Sequence, residues 1–471
     1  MNGGTAMKKA WEITRDLLVG AQPVILAEED QSWSAVEAFE RTQDLLFGMK
    51  WKSGVPGSGA PERVLVGAVQ SMENMGYDVT EAEVLMEKGL DAERQGNRAE
   101  LIRITCALWN LFGNLPRIPN HPSRKFRVYE SFSEVVRDSL VPGSVPVDVF
   151  APDFTERIKN GWLAQIVGGA FGTAIEGYTP ENLKKAFGEL RGYVRKPNTY
   201  NDDITYELAF LEAFASQGYG VTSRDIALEW VALVPFGWSA EEIALKNLEA
   251  GIFPPESGWF HNPYREWIGA QMRGAICGMA APGNPRLAAD LAFRDGVVSH
   301  HNNGVLGEIF NAVLVSLAFV SSDVRSLLVR AIRMIPKHSE YRSVVDRAFA
   351  VCQEESGWEA AWNRLEPGFE RYNWIHAYPN AAAEVLALWY GNGDFESTIR
   401  IIGACGYDVD CNAAQILTVL GIQKVPIPFA WSDPVGTEID TYCRGKKHFT
   451  LDDLAETTVK AVRSAVLATK K

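Results

Sequence analysis

Apolar side chains recur at the spacing of an α-helix along most of the chain. Clear examples are residues 223–234, 308–320 and 381–388. This period is typical of amphipathic helices, whereas strands alternate at every second residue. Alternating stretches with Asn-Gly or Asp-Gly turns are nearly absent, and Asn302-Asn303-Gly304 lies beside helical patterns instead. The pattern predicts an all-α fold.

Hydroxyl side chains mark several predicted helix starts. Thr80 and Ser239 are each followed by a glutamate three residues later, which is the spacing of a capping box. Thr179 precedes Pro180, and proline suits the first position of a helix. We therefore expect helices that begin at these three hydroxyls.

A Pro-rich stretch at 114–153 interrupts the helical pattern and marks the best domain boundary. We predict an N-terminal helical extension of unknown role, residues 1–150, and a larger helical domain, residues 151–471. The extension's own helical patterns lie at 31–49, 61–75 and 79–113.

Composition narrows the possible classes of protein. The 471 residues carry 46 Lys and Arg against 59 Asp and Glu, a formal charge of −13, which argues against nucleic acid as a partner. No apolar run is long enough for a signal peptide or a membrane span. The six cysteines lack paired spacing, which indicates reduced thiols and predicts a cytoplasmic protein. Because no apolar run could span a membrane, we expect no membrane partner. Oligomeric state is not readable from the sequence.

Five carboxylates stand out because they lie in three short segments beside predicted helix ends. They are Glu176 after a run of small residues, the pair Asp202 and Asp203, and the pair Asp408 and Asp410. Taken singly, each segment also fits an ordinary structural role, namely close helix packing or a helix cap. Two acidic pairs at helix starts in one domain are harder to explain by capping alone.

Hard divalent cations offer a chemical reason for such a set. Mg²⁺ and Mn²⁺ prefer oxygen ligands, and two such ions can share bridging carboxylates. Acids gathered without a cation would have raised pKa values, at a cost in stability. A binuclear metal site is therefore a sensible use of the five carboxylates, provided that the fold brings them together.

Four segments, in this order, resemble the ADP-ribosylglycohydrolase family, all-α enzymes related to dinitrogenase-reductase-activating glycohydrolase and to a lens crystallin. The similarity covers roughly residues 155–425. The matching stretches are Gly168-Gly169-Ala170-Phe171-Gly172 with Glu176, Asn201-Asp202-Asp203, Gly269-Ala270-Gln271-Met272-Arg273 followed by Ser299-His300-His301-Asn302-Asn303-Gly304, and Gly406-Tyr407-Asp408-Val409-Asp410-Cys411-Asn412-Ala413-Ala414. The resemblance implies a compact orthogonal multi-helix domain of this family's type.

The resemblance also implies roles for individual residues. Two ions, Mg²⁺ or Mn²⁺, are expected, and their implied ligands are Asp202, Asp203, Asp408, Asp410, Asn201 and Cys411. Catalytic roles fall to Glu176, Asp202 and Asp410, and substrate contacts to His300, His301, Asn303 and Gly172.

Three positions depart from the family pattern. Gly169 replaces an aspartate, Asn201 replaces a threonine or serine, and Cys411 replaces a hydroxyl residue. A thiol is a poor ligand for Mg²⁺. These changes could shift the metal preference, weaken one of the two metal sites, or accompany a changed substrate.

The function that follows is hydrolysis of an N- or O-glycosidic bond in an ADP-ribosyl or related ribosyl substrate by a metal-activated water. The expected partner is a ribosyl-containing small molecule or an ADP-ribosylated protein. Two alternatives stay open: a hydrolase of a small nucleoside or N-riboside, and a non-catalytic ADP-ribose-binding or structural homologue. A rim closed by the N-terminal extension would favour a small molecule, and an open rim would favour a protein.

Overall fold

The computed structural model describes residues 8–469 and is built mainly of α-helices, which confirms the predicted all-α class. The first seven residues of the predicted extension, and Lys470 and Lys471, lie outside the described residues. The N-terminal segment, residues 8–150, contains α1 (Ala10–Gly20), α2 (Ser34–Trp51), α3 (Val64–Asn74), α4 (Thr80–Arg94), α5 (Arg98–Phe112) and α6 (Phe132–Arg137).

The C-terminal segment, residues 151–469, contains most of the helices. They are α7 (Pro152–Gly172), α8 (Pro180–Phe187), α9 (Asp202–Gln217), α10 (Ser223–Leu233), α11 (Ser239–Glu249), α12 (Glu256–Trp259), α13 (Gly274–Ala280), α14 (Pro285–Gly296), α15 (Asn303–Ala318), α16 (Val324–Met334), α17 (Glu340–Glu354), α18 (Trp358–Leu365), α19 (Ala377–Gly391), α20 (Phe395–Cys405), α21 (Val409–Ile422), α22 (Phe429–Ser432) and α23 (Leu451–Ala468). The strands β1 (Ser53–Gly54) and β2 (Pro61–Glu62) form one antiparallel pair, and β3 (Glu438–Asp440) and β4 (His448–Thr450) form another.

Two central helices, α15 and α21, are buried along their whole lengths. Helix α7 packs closely against α21, and α15 packs against α13 and α14. The small residues of α7 permit this approach, since a Cβ at Gly168 would lie 2.6 Å from the carbonyl carbon of Ala413. The run of small residues thus brings the C-terminal end of α7 to the start of α21.

All three predicted helix starts are confirmed, because α4 begins at Thr80, α11 begins at Ser239 and α8 begins directly after Thr179. The capping boxes expected at Thr80 and Ser239 are absent. Thr179 caps α8 by accepting a hydrogen bond from the Asn182 N–H, with Pro180 in the first turn. Thr80 is the first residue of α4 and, in place of a capping box, donates its hydroxyl hydrogen to Asp78 Oδ1 at 2.7 Å. Ser239 has a left-handed φ of 47° and caps nothing.

Helix boundaries in the N-terminal segment also differ from the pattern. The predicted helix 79–113 is divided into α4 and α5, because the Asn97 side chain accepts from the Glu100 N–H and starts a new helix. The predicted helix 61–75 begins later, at Val64, after strand β2.

The two segments pack against one another through polar and apolar contacts. Lys50 forms an ion pair with Glu242 at 2.5 Å, and Tyr264 donates its hydroxyl hydrogen to the Val64 carbonyl at 3.1 Å. The division into domains at residue 150 stays a prediction. Within residues 8–469, no helix is both long and apolar enough to cross a membrane.

Candidate active site

Three helix ends carry the five carboxylates to one place. Glu176 follows the C-terminal end of α7, Asp202 and Asp203 open α9, and Asp408 and Asp410 lie at the start of α21. More than two hundred residues separate the first carboxylate from the last, so only the packing of these helices makes them neighbours.

Gly172 explains how α7 reaches the start of α21. A Cβ at this position would overlap the backbone nitrogen and Cα of Asp410. Only glycine allows this approach, which places Glu176 close enough for a hydrogen bond with Asp410. The structure therefore gives Gly172, predicted to contact substrate, a packing role beneath the site.

Asn201 joins α9 to α21. As the N-cap of α9, its Oδ1 accepts from the Asp203 N–H at 2.7 Å. Its Nδ2 donates to Asp410 Oδ2 at 3.2 Å. Both polar atoms of the side chain are therefore engaged in holding the two acidic segments together, and its predicted part as a metal ligand stays a prediction.

Cys411 lies at the centre of the cluster. Ligand atoms of Asp408, Asp410 and Cys411 all fall within 4.8 Å of one another. The Cys411 thiol points at Asp203 Oδ1 at 3.3 Å, and burial followed by the Asp203 charge raises the pKa of this thiol well above its usual value. Cys411 is accordingly a neutral thiol that donates to a carboxylate, and its predicted ligation of a metal stays a prediction.

Four of the five carboxylates are nearly inaccessible to solvent. Glu176 is 9% exposed, Asp203 1%, Asp408 4% and Asp410 3%, whereas Asp202 is half-buried. Asp202 therefore lies nearest to solvent and marks the way into the site.

Burial and mutual repulsion make these groups weak acids. Burial, followed by the charge of Asp410, raises the pKa of Asp202 to about 6. The same two causes raise the pKa of Glu176 and of Asp408 well above their usual ranges, and burial with the charge of Asp202 does so for Asp203. The cluster therefore favours groups that bring positive charge, either protons or cations.

The described part of the chain supplies no positively charged side chain to neutralise these acids. Among residues 8–469, no Lys, Arg or His forms a salt bridge with any of the five carboxylates, and Asp203 Oδ2, Asp408 Oδ1 and Asp410 Oδ1 are buried without a hydrogen-bond partner. Buried carboxylate oxygens of this kind are the ligands that hard divalent cations prefer. The donor set fits a divalent metal, and the ligand atoms of Asp408, Asp410 and Cys411 lie close enough together to share one. The predicted ligation by Asp202, Asp203, Asp408 and Asp410 stays a prediction.

The two histidines predicted to contact substrate have other partners in the structure. His300 is fully buried, with Nδ1 2.7 Å from Ser299 Oγ and Nε2 3.8 Å from Glu241 Oε1. His301 instead lines a separate cavity of about 840 Å³, where burial followed by the charge of Arg265 lowers its pKa to about 4.

Asn303 has a structural role in the fold. Its Nδ2 donates to Glu266 Oε1 at 3.0 Å, and its Oδ1 accepts from the Tyr341 N–H at 3.1 Å. In the described part of the chain, neither histidine nor Asn303 hydrogen-bonds to any of the five carboxylates, and their predicted substrate contacts stay predictions.

A second buried acidic cluster surrounds Arg273 and was not predicted. The guanidinium group contacts Asp295 and the Gly269 carbonyl, and it lies 3.6 Å from Glu241 and 3.8 Å from Glu308. One signal in the sequence could have indicated it, since Glu308 is a lone acid in a long apolar helix and needs a buried partner.

A short loop of the N-terminal segment, also not predicted to reach the site, contacts Glu176. A Cβ at Gly57 would lie 2.8 Å from Glu176 Oε1. The Pro-Gly-Ser-Gly sequence at 56–59 indicates a turn, but nothing in it shows where the turn packs.

Comparisons with known proteins found a matching family model and a similar solved structure. The family model described as ADP-ribosylglycohydrolase matches residues 151–462. A solved structure described as an ADP-ribosylglycohydrolase-related protein complex is 20% identical with a TM-score of 0.49, and the alignment covers 67% of this chain and 99% of that chain. No curated protein matches the chain.

The match to the family model covers well over half of the chain and includes all five carboxylates. It confirms the resemblance identified from the sequence and supports a glycohydrolase, a hydrolase of glycosidic bonds. The chain belongs to the ADP-ribosylglycohydrolase family.

Proposed function

We propose that the chain is a divalent-metal-dependent glycohydrolase that cleaves an N- or O-glycosidic bond of an ADP-ribosyl or related ribosyl substrate. The observation that carries the proposal is the convergence of five carboxylates with no cation of the protein among them in residues 8–469. A stable fold does not need such a cluster, whereas a site for Mg²⁺ or Mn²⁺ does.

The carboxylates divide into two roles. Asp202, Asp203, Asp408 and Asp410 would hold the cations, and two ions fit this number of oxygen atoms. When bound, the cations would supply positive charge that fixes the ribose hydroxyls and acidifies a water molecule. Asn201 keeps Asp410 in position through its 3.2 Å hydrogen bond.

Glu176 is the proposed proton donor. Burial, followed by the charges of Asp410, Asp408 and Asp202, raises its pKa well above the usual range, which favours the protonated form that a proton donor needs. It hydrogen-bonds with Asp410, which orients this proton at the edge of the cluster. Donation to the departing oxygen or nitrogen would ease the loss of the leaving group from an oxocarbenium-like centre.

Two further points belong to the proposal. The expected partner is a ribosyl-containing small molecule or an ADP-ribosylated protein, and a cytoplasmic location agrees with the six free cysteines among the described residues.

The test measures release of ADP-ribose or ribose from arginine-linked, serine-linked and nucleoside substrates, with Mg²⁺, Mn²⁺ or EDTA. We expect turnover that needs metal and falls by about 100-fold or more, equivalent to about 2.7 kcal/mol, in Asp410→Asn. Asp433→Asn, an exposed acid on the same segment, is the matched control and should retain full activity.

Full activity in metal-free protein would contradict the proposed metal dependence. ADP-ribose binding without turnover of any conjugate would instead favour the non-catalytic homologue.

A further inference from the structure

The loop between β1 and β2, residues 55–60, lies directly on the carboxylate cluster, and we name it the rim loop. Besides its approach to Glu176 Oε1, Gly57 contacts the side chain and carbonyl of Thr173 so closely that a Cβ would overlap them. Tyr178 donates its hydroxyl hydrogen to the Ser58 carbonyl at 3.2 Å. The N-terminal segment thus touches the chain on both sides of the proposed proton donor.

The rim loop is rigidly built. The Val55 N–H donates to the Ala60 carbonyl at 2.9 Å, and the Gly59 N–H donates to the Val55 carbonyl at 2.8 Å. Gly59 has a left-handed φ of 73°, which the turn requires. Val55 and Ala60 are buried against Gly177, where a Cβ would lie 2.7 Å from Ala60 Cβ.

Polar contacts fix both strands that carry the loop. Before β1, Lys50 forms a nearly buried ion pair with Glu242. In β2, Glu62 accepts a hydrogen bond from Trp238 Nε1 at 2.9 Å. Beyond it, α3 is held by the hydrogen bond from Ser71 Oγ to the Pro263 carbonyl at 2.8 Å. The loop therefore cannot swing away without breaking several buried contacts.

The exposure of the side chains around the site indicates from which side a substrate can reach it. Glu176 lies beneath the rim loop and is 9% exposed, while Asp202 is half-buried and Tyr200, two residues before it, is 53% exposed. Solvent and substrate therefore approach the cluster from the Asp202 side, and the opposite side of the site is closed by residues outside the family match.

We infer that the rim loop is a specificity-determining element that restricts the site to small ribosyl compounds, namely nucleosides or N-ribosides, and excludes ADP-ribosylated proteins. This inference rests on the proposed function. A glycosidic bond to a protein needs room beside the proton donor for the protein surface, and Gly57 and Ser58 occupy that room. A small leaving group needs only the space at the carboxylates themselves.

The experiment measures binding instead of turnover, so that it is independent of catalysis. Glu176→Gln protein, saturated with Mg²⁺, is titrated calorimetrically with adenosine, nicotinamide riboside and a mono-ADP-ribosylated peptide. The same titrations are repeated after residues 56–59 are replaced by Asn-Gly, a two-residue turn that withdraws Gly57 and Ser58 from the site. Lys52→Ala, which changes an exposed side chain just before β1 and outside the rim loop, is the matched control.

With the full loop we expect binding of at least one riboside and a Kd for the peptide at least tenfold weaker. The shortened loop should tighten peptide binding by tenfold or more and change riboside binding by less than threefold, and Lys52→Ala should change neither. Retained Mn²⁺ stabilisation of the shortened variant confirms that its site is folded.

Equal binding of peptide and riboside to the full-loop protein, binding of the peptide alone, binding of no probe, or no gain after shortening would overturn the inference. The expected binding pattern in a protein whose wild-type form hydrolyses none of these compounds would overturn the proposed function and leave the rim loop's role intact.

Discussion

Two clusters of buried acids lie in the C-terminal segment, and they balance their charge in opposite ways. Around Arg273, the acids Asp295, Glu241 and Glu308 share a cation that the chain itself supplies. At the helix starts, Asp203 and Asp410 with their neighbours have no such cation in the described part of the chain. The difference teaches that buried acids alone do not mark a functional site, and that a group of several buried acids without a counter-charge is the stronger indication of one.

Aromatic rings complete the Arg273 cluster as a structural unit. The guanidinium carbon lies 4.8 Å from the Trp230 ring centroid and 5.8 Å from that of Tyr206. Burial raises the pKa of Glu241 to about 7, although the Arg273 charge opposes the shift. The guanidinium group is thus enclosed by acids and aromatic rings inside the fold.

The largest expected effect comes from removing this internal cation. Arg273→Met should lower the free energy of unfolding by about 3–5 kcal/mol, because it leaves Asp295 buried without its partner. Urea denaturation measures the change. Arg103→Met, which breaks an exposed pair with Glu100, should cost less than about 1 kcal/mol. Similar losses in the two variants would show that the Arg273 cluster is not held by its charge.

Adding the missing cation at the other cluster should have the next largest effect. Mn²⁺ at about 100 times its Kd should raise the free energy of unfolding by about 2.7 kcal/mol. Asp203→Asn should lose most of this gain, yet be at least as stable as wild type in EDTA, since it removes one of several like charges. Asp433→Asn should keep the gain. An undiminished gain in Asp203→Asn would contradict metal binding at this cluster.

Glu384 is a third case, a single buried acid whose charge is neutralised in another way. Within residues 8–469, Glu384 in α19 has neither a cation nor another acid beside it, and Asn311 Nδ2 donates to its Oε1 at 3.2 Å. Burial raises its pKa to about 8, so that a proton neutralises it at neutral pH.

The raised pKa of Glu384 gives a pH dependence of defined sign. Its contribution to stability is complete below the unfolded-state pKa near 4.3 and is lost as the pH rises through about 8. Glu384→Gln should therefore gain about 1–2 kcal/mol relative to wild type between pH 6 and pH 9. Thermal unfolding of wild type and Glu384→Gln across this pH range measures the gain, with the exposed Glu456→Gln as control. Parallel stability curves for wild type and Glu384→Gln would refute the raised pKa of Glu384.

Much of the site could be predicted from the sequence because its motifs are local. Asp202 and Asp203, like Asp408 and Asp410, lie at helix starts that the sequence marks with polar and small residues. Their convergence could not be predicted from spacing alone, since it depends on the close packing of α7 on α21 through Gly172. The resemblance to a family supplied that link.

Other features escaped prediction because long-range packing determines them. The capping box expected at Ser239 is absent because Ser239 takes a left-handed φ. Gly237 packs closely on the same turn, since a Cβ there would lie 2.9 Å from the backbone carbonyl carbon of Glu241. Glu241, three residues from Trp238 in the same turn, is drawn into the Arg273 cluster. The rim loop's position likewise depends on contacts such as Lys50 with Glu242, 192 residues apart.

The central claim is that the uncompensated carboxylates bind divalent metal. Anomalous scattering from crystals soaked in Mn²⁺ tests it most directly, because it locates the ions without reference to activity. We expect one or two peaks enclosed by Asp202, Asp203, Asp408 and Asp410, and none beside Arg273. Peaks confined to the protein surface, or an empty carboxylate cluster in crystals that bind Mn²⁺ elsewhere, would contradict the account.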